Sequence, residues 1–261
     1  MLAGERVGRV HVATLSRPPV NALDGELVAL LDQLLTEIGG DPEVSVLHLR
    51  SDQKVFCAGA DLALMRSRLD TPSGIEAMVE QVRRLQLLFA RLEASPVVTL
   101  AELGGAALGG GLELALACDL RVAAVDTKLG LPEVSLGVVP GAGGTQRLTR
   151  LCGSGVAKRL ILGAELIDGA RAERLGIVQW AQPRERLAEF TRELAARIAD
   201  MPRGALDASK RCIQAAGDAK RDGFAEELAV TRDLYGRAQT RAKVAEFLNR
   251  KTTRAQSKEM P

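Results

Sequence analysis

The chain has 261 residues, 46% of them hydrophobic, with 35 Lys plus Arg against 33 Asp plus Glu for a formal charge of +2. That length is long for one compact domain and short for two, so one main body with a smaller appendage is expected, and the apolar fraction fills a core easily. A charge balance this even excludes bulk attraction to nucleic acid and a strongly acidic surface.

From the amino terminus, Glu5 and Arg6 interrupt any apolar run that would serve as a signal peptide. No later stretch approaches the ~20 apolar residues of a membrane span, so a soluble protein is expected, with neither membrane nor nucleic acid as partner. Residues 7–15, 44–49, 97–100 and 120–125 are short apolar strand candidates separated by helical stretches. After Asp24, a plausible N-cap, Leu27, Leu30, Leu31, Leu34, Leu35 and Ile38 share one helical face, and Gly39-Gly40 stops the helix. A second helix is expected from about residue 75 to 93, with Ser95-Pro96 opening the next strand. Such alternation over the first ~150 residues argues for an α/β body with largely parallel strands.

Beyond Gly144 the pattern turns helical: residues 145–151, 156–162, 170–175, 185–199, 203–215, 221–235 and 240–249 all space their apolar side chains for helices. Only Val178-Gln179-Trp180 reads as strand. So many amphipathic faces with so little sheet to cover must be buried on the body or on another subunit. The tail after Asn249, with Arg250, Lys251, Thr252, Thr253, Arg254 and Gln256, reads as poorly ordered.

The four cysteines, Cys57, Cys118, Cys152 and Cys212, are far apart and form no CxxC pair. That fits neither a zinc site nor a small disulfide scaffold, and a reducing, cytoplasmic setting is the simplest reading. His11 and His48 lie in apolar strand segments, as core or edge residues rather than ligands, and no metal site is expected. Gly141-Ala142-Gly143-Gly144 lacks the GxGxxG spacing and the Gly-Lys-Ser/Thr ending of phosphate loops.

Chemistry concentrates in two glycine-rich frames. In the first, Gly109-Gly110-Gly111 directly precedes the helical run Leu112-Glu113-Leu114-Ala115. Free N–H groups at a helix start, with no side chain in the way, suit an oxyanion hole. Phe56-Cys57-Ala58-Gly59-Ala60-Asp61-Leu62 has the same character, small residues between a strand and a helix, and would supply a second N–H. In the second frame Leu131-Pro132-Glu133 leads into Gly141-Ala142-Gly143-Gly144-Thr145. Two carboxylates in differing environments can divide general acid and base duties.

With these frames, Arg17-Pro18-Pro19-Val20-Asn21-Ala22-Leu23, the run Gly163-Ala164-Glu165-Leu166-Ile167-Asp168-Gly169 and Leu175-Gly176-Ile177-Val178, nearly the whole chain resembles the enoyl-coenzyme A hydratase/isomerase (crotonase) superfamily. The resemblance implies an α/β fold of the ClpP/crotonase kind, a spiral of strand-strand-helix repeats over residues 1–195. A helical carboxy-terminal region, residues 196–261, would form homotrimers or, from two trimers, homohexamers.

The resemblance further implies that Ala60 and Gly110 are the oxyanion-hole donors and that Glu113 and Glu133 are catalytic. Asn21, Ala22, Ala58, Gly109, Asp61 and Leu62 would bind the acyl-coenzyme A substrate, with no separate cofactor. Glu113 would activate water and Glu133 would protonate the alpha carbon of a 2-enoyl thioester. Basic residues on the last helices, Lys210, Arg211 and Lys243 among them, either approach the coenzyme A phosphates or form a solvated face. An isomerase of the same fold needs only the Glu133 position, and a non-catalytic acyl-coenzyme A binding or assembly protein needs neither glutamate.

Overall fold

Val46 to Leu49 are buried at every position, the mark of a strand covered on both faces. In the computed structural model, which describes the backbone of residues 1–256 and the side chains of 1–249, the chain opens with β1 (Leu2–Val7), β2 (Val10–Leu15), α1 (Gly25–Gly40) and β3 (Val46–Ser51). There follow β4 (Val55–Cys57), α2 (Leu62–Arg68), α3 (Pro72–Glu93), β5 (Val98–Leu103), β6 (Ala106–Leu108) and α4 (Gly110–Ala117). Next come β7 (Leu120–Ala124), β8 (Lys128–Gly130), a 3-10 turn at Glu133–Leu136, and α5 (Gly144–Leu162). The remainder is β9 (Ile167–Asp168), α6 (Gly169–Arg174), β10 (Trp180–Gln182), α7 (Arg184–Ala199), α8 (Arg203–Ala215), α9 (Gly223–Gly236) and α10 (Ala238–Gln256).

The strands sort into two sheets. One has six strands in the order β1-β2-β3-β5-β7-β10, parallel except for the β1/β2 hairpin. The other has four in the order β4-β6-β8-β9, with β4, β6 and β8 mutually parallel. Three successive passes of the chain therefore each lay a longer strand in the first sheet and a three-residue strand in the second. Because β4, β6 and β8 run the same way side by side, whatever follows each of them emerges at one shared edge. This edge, at the carboxyl ends of parallel strands, is where α/β folds place their sites.

Side-chain alternation splits the core. Leu47 and Leu49 of β3 join the main cluster with α1, α3 and α4, whereas Val46 faces α7 with Leu100 and Val122. On the β3 strand His48 pairs with Glu102 of β5 (Nε2 to Oε2, 3.0 Å), which satisfies two buried polar groups at once.

α1 begins as expected, with Asp24 Oδ1 accepting from the Leu27 N–H at 2.9 Å, although Val28 rather than Leu30 completes the buried face. α3 starts earlier than its apolar spacing suggests, because Thr71 caps it at the Gly74 N–H and Pro72 fits the first turn. α5 is broken at Gly153, where φ is 81°, so its two halves correspond to the two helical stretches read from the sequence.

By internal contacts the chain divides into two units, Met1–Asp200 and Met201–Pro261. The second holds α8, α9 and α10, and α10 runs on through Gln256 into the tail that reads as poorly ordered from composition. Ile213, Phe224, Leu228 and Tyr235 are exposed on these helices. Lys210 is buried rather than part of a solvated face, while Arg211 pairs with Asp207 and Lys243 with Glu246. Arg250 and Lys251 lie outside the residues whose side chains are described.

The join between α4 and β4 is tight enough to require glycine. A Cβ on Gly111 would lie 2.0 Å from the Cys57 carbonyl oxygen, backbone that cannot swing aside. Gly111→Ala is therefore expected to destabilise by about 2–3 kcal/mol and to lower the thermal midpoint by roughly 5–10 °C, read by calorimetry.

Candidate active site

Three elements meet at the shared edge of the second sheet: the β4–α2 loop, the start of α4 after β6, and the 3-10 turn after β8. Gly59 has φ 87°, and a Cβ there would stand 2.8 Å from the Gly110 nitrogen and 3.0 Å from the Leu108 carbonyl oxygen. Only glycine permits that approach. It puts the Ala60 and Gly110 amides in neighbouring positions, and neither N–H has an acceptor among the described residues. Ala60 is exposed and Gly110 half-buried, so both can be reached from outside. Gly109, φ 53°, makes the turn into α4, which has no side-chain cap to occupy its first N–H groups.

Glu113 projects from α4 and is only 3% exposed. Its Oε1 accepts from the Gly144 N–H at 2.7 Å. Burial pushes its carboxyl up to about 7, against the pull of the Gly144 N–H, which favours the anion; the nearby Glu133 raises it further, and the Ala142 N–H and Arg147 lower it.

Glu133, half-buried at the start of the 3-10 turn, lies over Gly109, with Oε1 2.9 Å from where a Cβ on that glycine would stand. Its carboxyl is also raised by burial, opposed by its own backbone N–H. Its Oε2 is buried without a hydrogen-bond partner among the described residues. Each carboxylate thus occupies room left by a glycine: Glu133 that of Gly109, and Glu113 that of Gly144, where a Cβ would sit 3.0 Å from Oε1.

The structure brings Glu113, Glu133, Ala60, Gly110 and Gly109 together. Ala58 and Leu62 are exposed on the same β4–α2 stretch, and Asp61 caps α2 by accepting from the Ala63 and Leu64 N–H groups, both at 3.0 Å. Asn21 is different. It is completely buried, at φ 51°, and its side chain accepts from the Arg17 N–H while donating to Ser51 Oγ and the Phe56 carbonyl.

Asn21 therefore holds the loop rather than facing solvent, and the buried Ala22 follows it. Backbone bonds from Ala58 to Val20 and from Leu23 to Gly59 lash this loop to the β4–α2 stretch. Cys57, whose thiol burial pushes up to about 12, donates to the Asn21 carbonyl and stays unreactive.

Sequence reasoning missed Arg121, which is 2% exposed and donates to the carbonyls of Ala115, Cys118 and Ile177, fixing the carboxyl end of α4. The signal was an arginine inside an apolar strand, Leu120-Arg121-Val122.

A family model described as enoyl-CoA hydratase/isomerase matches residues 5–257. The chain belongs to that family. Family membership places it among enzymes of the hydratase/isomerase kind that act on acyl-CoA thioesters. It is 38% identical over 215 residues to a short-chain-enoyl-CoA hydratase of Clostridium acetobutylicum, covering 80% of this chain and 79% of that protein. A crotonyl-CoA hydratase of Syntrophomonas wolfei is 37% identical over 89% of this chain and 87% of its own length. An enoyl-CoA hydratase crystal structure from Bacillus anthracis matches with TM-score 0.89 at 31% identity, covering 95% of this chain and 96% of that one. The family fold is the crotonase spiral expected from the motifs, and its repeat is the strand-strand-helix pass described above.

A raised carboxyl is also a statement about stability. Glu113 titrates at about 7 in the fold against 4.5 for an ordinary glutamate, so the proton it retains favours the folded state fully below pH 4.5, and that benefit is lost as pH rises through 7. Glu113→Gln keeps the acceptor for the Gly144 N–H and cannot ionise. It is expected to raise stability by up to about 3 kcal/mol at pH 8 and to leave it unchanged near pH 4.5, measured by denaturant unfolding at both values.

Proposed function

We propose that the protein is an enoyl-CoA hydratase, adding water reversibly to a 2-trans-enoyl-CoA to give the 3-hydroxyacyl-CoA. The observation that carries this reading is the pair of glutamates, one buried and one half-buried, beside two amides that have no acceptor among the described residues. In it the thioester oxygen takes the Ala60 and Gly110 N–H groups, and charge drawn onto that oxygen makes the beta carbon open to attack. Losing one such donor typically costs ~10²–10³ in rate. Ala58, Asp61, Leu62, Gly109 and the loop of Asn21 and Ala22 form the acyl-coenzyme A binding surface.

Ionised Glu113 removes a proton from water as the oxygen bonds to the beta carbon. Protonated Glu133 gives its proton to the alpha carbon as the enolate collapses. One carboxyl gains a proton as the other loses one, so the pair ends with its charge exchanged and resets when a proton passes from Glu113 to Glu133 through the next water to enter. A carboxyl pushed up to about 7 by burial suits a base working near neutrality, and the charge of Glu133 disfavours ionising both members together. The unpartnered Oε2 of Glu133 is available to the reacting groups.

The same proposal includes no separate cofactor, a cytoplasmic setting, and a homotrimer or homohexamer assembled through the helices after Ala199. The apolar side chains exposed on α8 and α9 support such an assembly, and no described helix is long and apolar enough to cross a membrane. An isomerase would not need Glu113, and its burial against Gly144 is costly to keep without a use.

With crotonyl-CoA, wild type should lower the 2-enoyl thioester absorbance to the hydration equilibrium, while Glu113→Gln and Glu133→Gln each lower kcat by ~10²–10⁴ with KM little changed. Wild type that binds the thioester and leaves its absorbance unchanged would overturn the hydratase reading.

A further inference from the structure

We propose that Gln86 and Arg147 are positioning residues for Glu113, clamping the 141–144 turn that presents backbone N–H groups to its carboxylate. The importance of this clamp for turnover rests on the hydratase reading; its geometry does not.

Gln86 lies on the exposed side of α3 and donates from Nε2 to the Gly141 carbonyl at 2.7 Å. That carbonyl belongs to the same peptide as the Ala142 N–H, whose dipole favours the Glu113 anion, and the peptide lies two residues before the Gly144 N–H that hydrogen-bonds the same carboxyl. A peptide that accepts at oxygen is a stronger donor at nitrogen, because linked hydrogen bonds polarise one another.

Arg147 reaches back from the first turn of α5. Its Nη1 donates to the Ala142 carbonyl at 3.1 Å, and its Nε and Nη2 hold Glu93 Oε2 at 3.2 and 3.0 Å. The guanidinium lies directly on Gly143, where φ is 107° and a Cβ would be 2.2 Å from Nη1. At 9% exposure it is nearly sealed in. The turn is therefore tied to α3 at two places, by Gln86 at Gly141 and by Glu93 through Arg147. Between these ties the Gly144 N–H meets Glu113 Oε1 at 2.7 Å.

The charged and titratable groups around Glu113 are few. Glu133 faces it from the 3-10 turn and disfavours its ionisation, and Arg147 faces it from α5 and favours it. Glu93 of α3 stands behind Arg147 as its counter-ion, and the Cys57 thiol of β4 is held neutral by burial. Loosening the clamp should weaken the bonds to the anion and leave Glu133 unopposed, so the Glu113 carboxyl should titrate higher.

The test is a carbon-13 NMR titration of the free protein labelled at glutamate carboxyls, with the Glu113 resonance identified by its loss in Glu113→Gln. Wild type should show a midpoint near 7. Gln86→Ala, an exposed change that spares folding, should raise it by about half a unit, and Arg147→Lys, which keeps the charge and loses the fork, by more. Midpoints equal to wild type in both variants would overturn the proposal.

In the crotonyl-CoA assay Gln86→Ala should lower kcat about twofold at pH 7, with KM unchanged and full recovery at alkaline pH. A fall that persists at alkaline pH would mark mere structural damage and count against it. The titration needs no turnover, so a wild type that hydrates nothing would sink the hydratase assignment while leaving the clamp standing or falling on its own midpoints.

Discussion

Contact between two backbones, Gly59 against Gly110, is the constraint on which the rest of this site depends. Two amides can serve one oxygen only if their nitrogens are a few ångströms apart and neither is used by the fold. Parallel pairing of β4 with β6 brings the two stretches to the same edge, but pairing alone leaves side chains between them. The absence of a Cβ at Gly59, whose ideal position is 2.8 Å from the Gly110 nitrogen, removes the last obstacle. Gly111 does the same one residue on, against the Cys57 carbonyl, so α4 sits flush on β4 with its amino end open.

The carboxylates follow the same logic of space before charge. Each fills a volume vacated by a glycine on a neighbouring element, and each is pushed toward the neutral form by burial. They differ in how the charge is compensated. Glu113 accepts from the Gly144 N–H and feels Arg147, whereas Glu133 is helped by its own backbone N–H and its Oε2 has no partner among the described residues. The two carboxyls thus sit in different surroundings, which is what a pair dividing acid and base duties needs. An ionised carboxylate buried at Glu113 is expected to cost stability at working pH that glutamine in the same place would recover.

What the sequence made legible is what is encoded locally. The Asp24 cap, the apolar face of α1, the break of helix near Gly153 and the amphipathic helices after Ala199 all follow from residues within a turn or two of each other. The second sheet does not, because β4, β6 and β8 are three residues long and β9 is two, too short for alternation to register. Plain alternation accordingly gave one parallel layer, and only the resemblance of the glycine frames implied the spiral.

At the site, the glycine frames marked Glu113, Glu133 and two segments of open backbone because backbone exposure is written in residue type, and the resemblance singled out Ala60 and Gly110 within them. Asn21 was marked for the substrate surface, and the fold adds a tie that the motif did not signal, its side chain joining Arg17, Ser51 and Phe56. Gln86 and Arg147 left no signal, for their meaning arises when residues 86, 93, 113 and 142 are folded together.

This division of labour explains how one scaffold carries both chemistries named in its family. The oxygen-binding groups are backbone N–H, which side-chain substitution cannot delete so long as the glycines beside them remain. In the proposed reaction the proton-transfer groups are side chains standing on separate elements, Glu113 on α4 and Glu133 on the turn after β8, each beside its own glycine. Either can change without disturbing the contact of Gly59 with Gly110, so the reaction is set by two replaceable residues above a fixed hole. The clamp at 141–144 then adjusts how strongly one of those residues holds its proton, and it does so from α3 and α5, outside the hole itself.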